Sequence, residues 1–159
     1  MQAIGAVPGK YTVSFANSPW GLQSVTLGGV DVTDLPIEIA EKDPPELVLI
    51  LSDTPLASLA VSVPSGNRPP DGEAALIFPA DRKYWVEPSA SRRRFRTAAL
   101  SSKGTATASD LPAGEYFVVL VAGPDAFDWQ EPARLDALSR TAQRIAVSDG
   151  EKKSIEVRR

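Results

Sequence analysis

Two short basic–aromatic runs hold the densest potential chemistry in this chain: Arg82-Lys83-Tyr84-Trp85 and Arg92-Arg93-Arg94-Phe95-Arg96. From Asp81 to Lys103 there are seven basic side chains and two acidic ones, a local excess of five positive charges in an acidic protein. Guanidinium forks match planar anions, and interleaved aromatic rings stack. The run therefore suits an anionic polysaccharide, a phosphate or an acidic partner surface. Trp20, Tyr84, Trp85 and Trp129 add a second option, a platform of flat apolar faces on which a sugar ring stacks. Both readings have an internal counterpart, in which the arginines pair with the chain's own surplus carboxylates and the tryptophans plug or cap a core. The ligand-binding candidates are thus Arg82, Tyr84, Trp85, Arg92, Arg93, Arg94 and Trp129.

Other chemistry is harder to assemble. The 159 residues include no cysteine and no histidine. This removes disulfides, thiolate nucleophiles, imidazole bases and nearly every transition-metal ligand set. Asp31-x-x-Asp34 and Asp125-x-x-Asp128-x-x-Glu131 supply oxygen ligands, but neither has the dense spacing and glycine of an EF-hand loop. Capping of a helix by Asp128 with Glu131 is the simpler use. No Ser-x-x-Lys occurs, and nothing fixes a carboxylate pair at the separation that glycoside hydrolysis requires. The expectation is no enzyme, no cofactor and no metal.

A net charge of −3 and a pI near 5.0 give no general pull toward nucleic acid or an acidic membrane surface. No apolar run approaches the ~18 residues of a membrane span. The opening residues Met1-Gln2-Ala3-Ile4-Gly5-Ala6 lack the basic and long apolar segments of a signal peptide. Tyr11 already sits in what reads as a closing strand, which leaves two readings of Met1 open: a native start, or a boundary with a signal peptide lost upstream.

The elements that must position these residues are short strands. Fourteen prolines and eleven glycines are too many for a helical bundle. A Pro–Gly–charged–Tyr turn runs into an apolar strand twice, at Val7-Pro8-Gly9-Lys10-Tyr11 and at Leu111-Pro112-Ala113-Gly114-Glu115-Tyr116. That recurrence predicts two related modules in tandem, 1–53 and 54–159, divided at Asp53-Thr54-Pro55. Alternation predicts strands over Tyr11–Phe15, Leu22–Leu27, Val30–Thr33, Pro36–Ile39, Leu59–Val63, Ala74–Phe78, Phe95–Leu100, Thr105–Ala108, Tyr116–Val121 and Ser154–Val157. Leu47-Val48-Leu49-Ile50-Leu51 is apolar on both faces, the pattern of a central strand between two layers. Pro132 followed by Leu135, Leu138, Ala142 and Ile145 predicts one helix before the last strand. The expected core sets Val61, Val63, Leu76, Phe78, Phe117, Val119, Val121, Ile145 and Ile155 between two sheets.

From Leu59 onward the order of signals resembles the bacterial carboxypeptidase regulatory-like family of transthyretin-like, Cna-B-like β-sandwiches. The matching residues are Leu59-x-Val61-x-Val63, Gly66-x-x-Pro69, Ala75-Leu76-Ile77-Phe78, Lys103-Gly104 and Leu111-Pro112-Ala113-Gly114-Glu115-Tyr116. The insert Phe78-Pro79-Ala80-Asp81-Arg82 and the Trp129-Gln130-x-Pro132 helix resemble a variant found in large envelope proteins. Residues 8–51 resemble the tail of a preceding module. Ala106 and Ala108 depart from the family's large apolar residues, so that strand should pack more thinly. The resemblance implies an all-β, Greek-key or prealbumin-like sandwich. It implies a structural or interaction module of a secreted, periplasmic or cell-surface protein, and carries over no catalytic residue. Its partners would be other domains of the same polypeptide or another protein, or a glycan. A starch-binding-like carbohydrate module is one alternative. The other is a strand-exchanging assembly unit, because residues 8–51 lack an opening strand and leave an edge to be completed.

Overall fold

The computed structural model of the protein describes residues 7–15, 20–40, 45–64, 72–86, 92–122 and 131–158. In chain order the strands are β1 Gly9–Tyr11, β2 Gly21–Leu27, β3 Val30–Asp31, β4 Ile37–Ile39, β5 Leu47–Ser52, β6 Ala57–Ser62 and β7 Ala74–Pro79. After two 3-10 turns, Arg82–Tyr84 and Arg92–Arg94, come β8 Arg96–Ala99, β9 Thr105–Leu111, β10 Gly114–Val121, helix α1 Pro132–Ser139, β11 Gln143–Val147 and β12 Lys152–Glu156. The fold is a β-sandwich. Strands β1–β5 pair only with one another among the described residues, as β1-β4 and β3-β2-β5. Strands β6–β12 form a three-stranded sheet, β12-β6-β9, and a four-stranded sheet, β11-β10-β7-β8. All pairings are antiparallel except β12 on β6.

The four-stranded sheet is apolar on both faces because each face has its own cover. Along β7, Ala75 and Ile77 join Leu59, Val61, Ala108, Leu111, Tyr116 and Val118 in the core between the sheets. Ala74, Leu76 and Phe78 point the other way and join Trp85, Val119, Val121 and Leu135 of α1. Strict alternation across a pleat produces this division. It corrects the single expected core: Leu76, Phe78, Phe117, Val119 and Val121 pack toward α1 and Trp85, away from the partner sheet. Val61, Ile145 and Ile155 belong to the inter-sheet core. Ala106 and Ala108 are buried opposite Val61 and Leu59.

Three further expectations change. The first strand pairs only over Gly9–Tyr11, against Ile39–Ile37, and Thr12–Phe15 lie outside it. The helix ends at Ser139, and Ile145 sits in β11 paired with Tyr116. The apolar spacing had carried the helix too far, because a buried position every second residue along β11 mimics the last helical turn. Most consequentially, Leu47–Leu51 is not central. Among the described residues β5 pairs on one side only, with β2, and is the edge of its sheet.

Turn chemistry fixes the rest. Gly28 and Gly29 have φ of 56° and 81°, and Leu27 pairs with Val30. Positive φ at both central residues gives the hairpin turn whose twist matches its strands. The two Pro–Gly–charged–Tyr segments build the same device. Tyr116 Oη–H donates to the carbonyl of Pro112 at 2.7 Å, and Tyr11 Oη–H donates to that of Val7, each four residues upstream. Tyr116 is fully buried and Tyr11 exposed.

Candidate functional site

The arginine run converges on one carboxylate from the other set of strands. Asp31 Oδ1 accepts the Thr33 N–H at 2.8 Å, while Val25 N–H donates to Thr33 Oγ1 at 2.8 Å and Val32 N–H to the Val25 carbonyl at 2.9 Å. This side-chain turn delivers Asp34 at a left-handed φ of 61°, a conformation aspartate tolerates better than most residues. The Asp34 side chain is 1% exposed. Its carboxylate accepts Arg93 Nε–H at 2.7 Å and Nη2–H at 3.2 Å, and Arg94 Nε–H at 2.7 Å.

Each guanidinium then extends the network. Arg93 Nη1–H donates to the carbonyl of Leu22 in β2. Arg94 Nη1–H donates to the Ala113 carbonyl at 3.1 Å and to Tyr116 Oη at 3.4 Å, and its head lies 4.7 Å from the centre of the Tyr84 ring. Burial alone would push the Asp34 carboxyl up. The Arg93 hydrogen bond and the two guanidinium charges outweigh it, and hold the group below its ordinary value. Burial pushes Tyr116 up to about 12, with Arg94 opposing. The result is a buried clamp tying β2 and the turn after β3 to the 3-10 turn before β8 and the start of β10.

The other candidates are dispersed. Trp85 is 6% exposed. It packs on Phe78 at 5.8 Å between ring centres and donates its Nε1–H to the Pro79 carbonyl at 2.8 Å. Arg82 lies over its ring at 5.3 Å and pairs with Asp136 of α1, which also pairs with Arg140 at 3.0 Å. Lys83 covers Tyr84 at 4.9 Å. Arg96 holds the carbonyls of Ser109 at 3.2 Å and Asp110 at 2.9 Å. Arg92 opens the second 3-10 turn. Trp129, Asp125 and Asp128 lie outside the described residues. Of the stacking candidates, Trp20 is 51% exposed and lies just before β2. An open cleft beside the clamp is lined by Gln23, Ser52, Thr54, Arg93, Arg94 and Asp149 among others. Among the described residues no group of acidic side chains is placed to hold a metal ion, and no helix is long and apolar enough to cross a membrane.

No protein-family model matches the chain, and no curated protein is similar to it. Among solved structures, the TIE protein of Bacillus anthracis aligns over 96% of this chain and 34% of its own, at 16% identity and a TM-score of 0.39. The major pilin subunit of Bacillus cereus aligns over 77% of this chain and 34% of its own, at 14% identity and a TM-score of 0.35. The chain thus spans about a third of the length of each.

Two features lay beyond sequence reasoning. The partner of the arginines is Asp34, and only the Asp31-x-Thr33 turn hints at its orientation. The second is β5. Leu47, Val48, Leu49 and Ile50 are 40%, 43%, 39% and 49% exposed, so its apolar side chains reach solvent on both faces. Among the described residues no backbone hydrogen bond reaches its outer side. Val25, opposite Leu49, turns its N–H and carbonyl toward Thr33 and Val32, so Leu49 turns its own pair outward. By alternation Leu47 and Leu51 do the same, whereas the Glu46 carbonyl faces inward and accepts Gly28 N–H at 2.9 Å.

Proposed function

We propose that the chain is a non-enzymatic structural and interaction module of a larger secreted or cell-envelope protein. In this reading it is a sandwich of the carboxypeptidase regulatory-like kind, preceded by strands of a related module. The observation that carries it is the uncapped β5. Natural edge strands are blunted by lysine, proline, bulges or a covering loop, whereas Leu47–Ser52 contains no charge and no proline. An apolar strand with free ladder groups is a template for β-augmentation, in which main-chain bonds supply affinity and alternate side chains supply specificity. The division into two modules is supported by strands β1–β5, which among the described residues pair only with one another. The basic–aromatic run serves as their joint: the Asp34 clamp holds the open strand on a rigid support. The outer location rests on the sequence resemblance.

The test is a titration of the protein with a lysine-tagged peptide carrying the β5 sequence, followed by amide exchange. Saturable binding should slow exchange at Leu47, Leu49 and Leu51. Absence of binding, with those amides already protected in dilute protein, overturns the reading.

A further inference from the structure

We infer that the partner of β5 is a second copy of this chain, paired antiparallel, β5 to β5, about a two-fold axis through Leu49; this rests on the reading of β5 as the interaction strand. The register follows from backbone parity. Only Leu47, Leu49 and Leu51 turn their ladder groups outward, so a hydrogen-bonded pair must join two residues of that set. Centring on Leu49 sets Leu49 against itself, Leu47 against Leu51 and Val48 against Ile50.

The flanking charges agree. In this register Glu46 falls opposite Ser52, and Asp53 opposite Pro45, so the two acidic groups avoid each other. A one-residue slip would set Glu46 against Asp53 and also break parity. A two-residue slip one way puts Asp53 against Leu47. The other way puts Pro45, which has no N–H, against Leu51 and so breaks the ladder inside β5, whereas in the centred register Pro45 meets Asp53 beyond the end of the strand. The strand is therefore self-complementary in one register, and isologous pairing of one patch with itself is what closed dimers use. The product is a continuous sheet, β3-β2-β5-β5-β2-β3, in which Leu47 to Leu51 of each copy cover the other's.

Sedimentation of the full chain from micromolar to millimolar concentration tests this. The expected result is a reversible monomer–dimer equilibrium. Leu49→Lys brings two ammonium groups together on the axis and should weaken dimerisation at least about 100-fold without lowering the melting temperature. Because the chain has no cysteine, Leu49→Cys installs a single thiol. On the axis the two Cα atoms lie about 5.5 Å apart, within disulfide reach. Oxidation should link this variant at least about tenfold faster than Val30→Cys, whose site is 65% exposed but off the axis. That comparison also decides the matter if Leu49→Lys fails to fold. A wild-type chain that stays monomeric at millimolar concentration, or equal cross-linking of the two cysteine variants, overturns self-pairing. If the β5 peptide still binds such a monomer, the interaction strand stands and its partner is a strand of other origin; if the peptide fails too, both readings fall.

Discussion

Replacing Asp34 with asparagine isolates the charge at the centre of the clamp. Asparagine is isosteric, keeps one acceptor oxygen and tolerates the left-handed backbone at φ 61°. What it removes is the counter-charge for two guanidinium groups whose side chains are only 18% and 12% exposed. Breaking a buried pair by removing one partner costs about 3–5 kcal/mol. The retained oxygen puts Asp34→Asn near the lower end, about 3 kcal/mol. At about 2–4 °C per kcal/mol for a chain of this length, the melting temperature should fall by roughly 6–12 °C. Urea unfolding monitored by circular dichroism measures the loss directly. A cycle with Arg94→Met should show strong coupling, since the second substitution removes one of the two charges that Asp34 balances.

The same variant fixes a pH dependence. The folded Asp34 carboxyl titrates below its ordinary 3.8, so the unfolded state binds a proton first as the solution is acidified. The stabilisation is complete above the unfolded value and is lost as pH falls through the folded one. Wild type should therefore lose stability steeply below about pH 4, and Asp34→Asn should show a shallower acid limb. A loss under about 0.5 kcal/mol, typical of an ordinary surface site, with an unchanged acid limb, would refute the clamp.

Three other perturbations separate its neighbours. Trp85→Ala empties the core under α1 and orphans the Pro79 carbonyl, at a cost of about 3–5 kcal/mol in urea unfolding; near-neutrality would mean the ring is not a packing residue. Tyr116→Phe should cost about 1–1.5 kcal/mol through its lost bond to Pro112. In an alkaline absorbance titration it should also remove the Tyr116 transition at about 12. Gly114→Ala should destabilise by about 1–3 kcal/mol, because its φ is 151° and an added Cβ would meet Arg94 Nη1 at 3.0 Å. A wild-type melting temperature for that variant would refute both the backbone strain and the fixed position of the guanidinium.

What the sequence disclosed follows from how local each cause was. Alternation from Ala74 to Phe78 and from Tyr116 to Val121 marks strands whichever neighbour covers them, and the tyrosine turns announce themselves over five residues. The two faces of β7 could not be told apart in sequence, since both are apolar and only α1 distinguishes them. Ile145 fits a helical and a strand period equally well, so the end of α1 was ambiguous over one turn. The arginines were visible as a charge excess, but their counter-charge lies about sixty residues away, at Asp34, and no local pattern encodes that meeting. For Leu47–Leu51 the inference failed for a different reason. An apolar run reports that a strand is to be buried on both faces, and it does not say whether this chain does the burying.

That distinction carries an energetic consequence. Four β5 side chains retain 39–49% of their exposure, and burying such a side chain completely contributes about 1.5–3 kcal/mol. Covering all that remains would be worth at most about 3–5 kcal/mol per copy, or about 6–10 for a symmetric pair, before ladder bonds, and edge pairing covers only the flanks of these side chains. Association costs about 4–15 kcal/mol in lost freedom and ordering. Pairing at millimolar concentration needs a net gain of about 4 kcal/mol, so the ladder bonds of Leu47, Leu49 and Leu51 must supply the balance. A single β5 contact thus supports a weak, reversible pairing of isolated chains, and it becomes stable where something else raises the local concentration. Tethering on one surface or along one polypeptide does so without any new contact. An edge of this strength suits a module held in an array, since a stronger one would aggregate before it was placed.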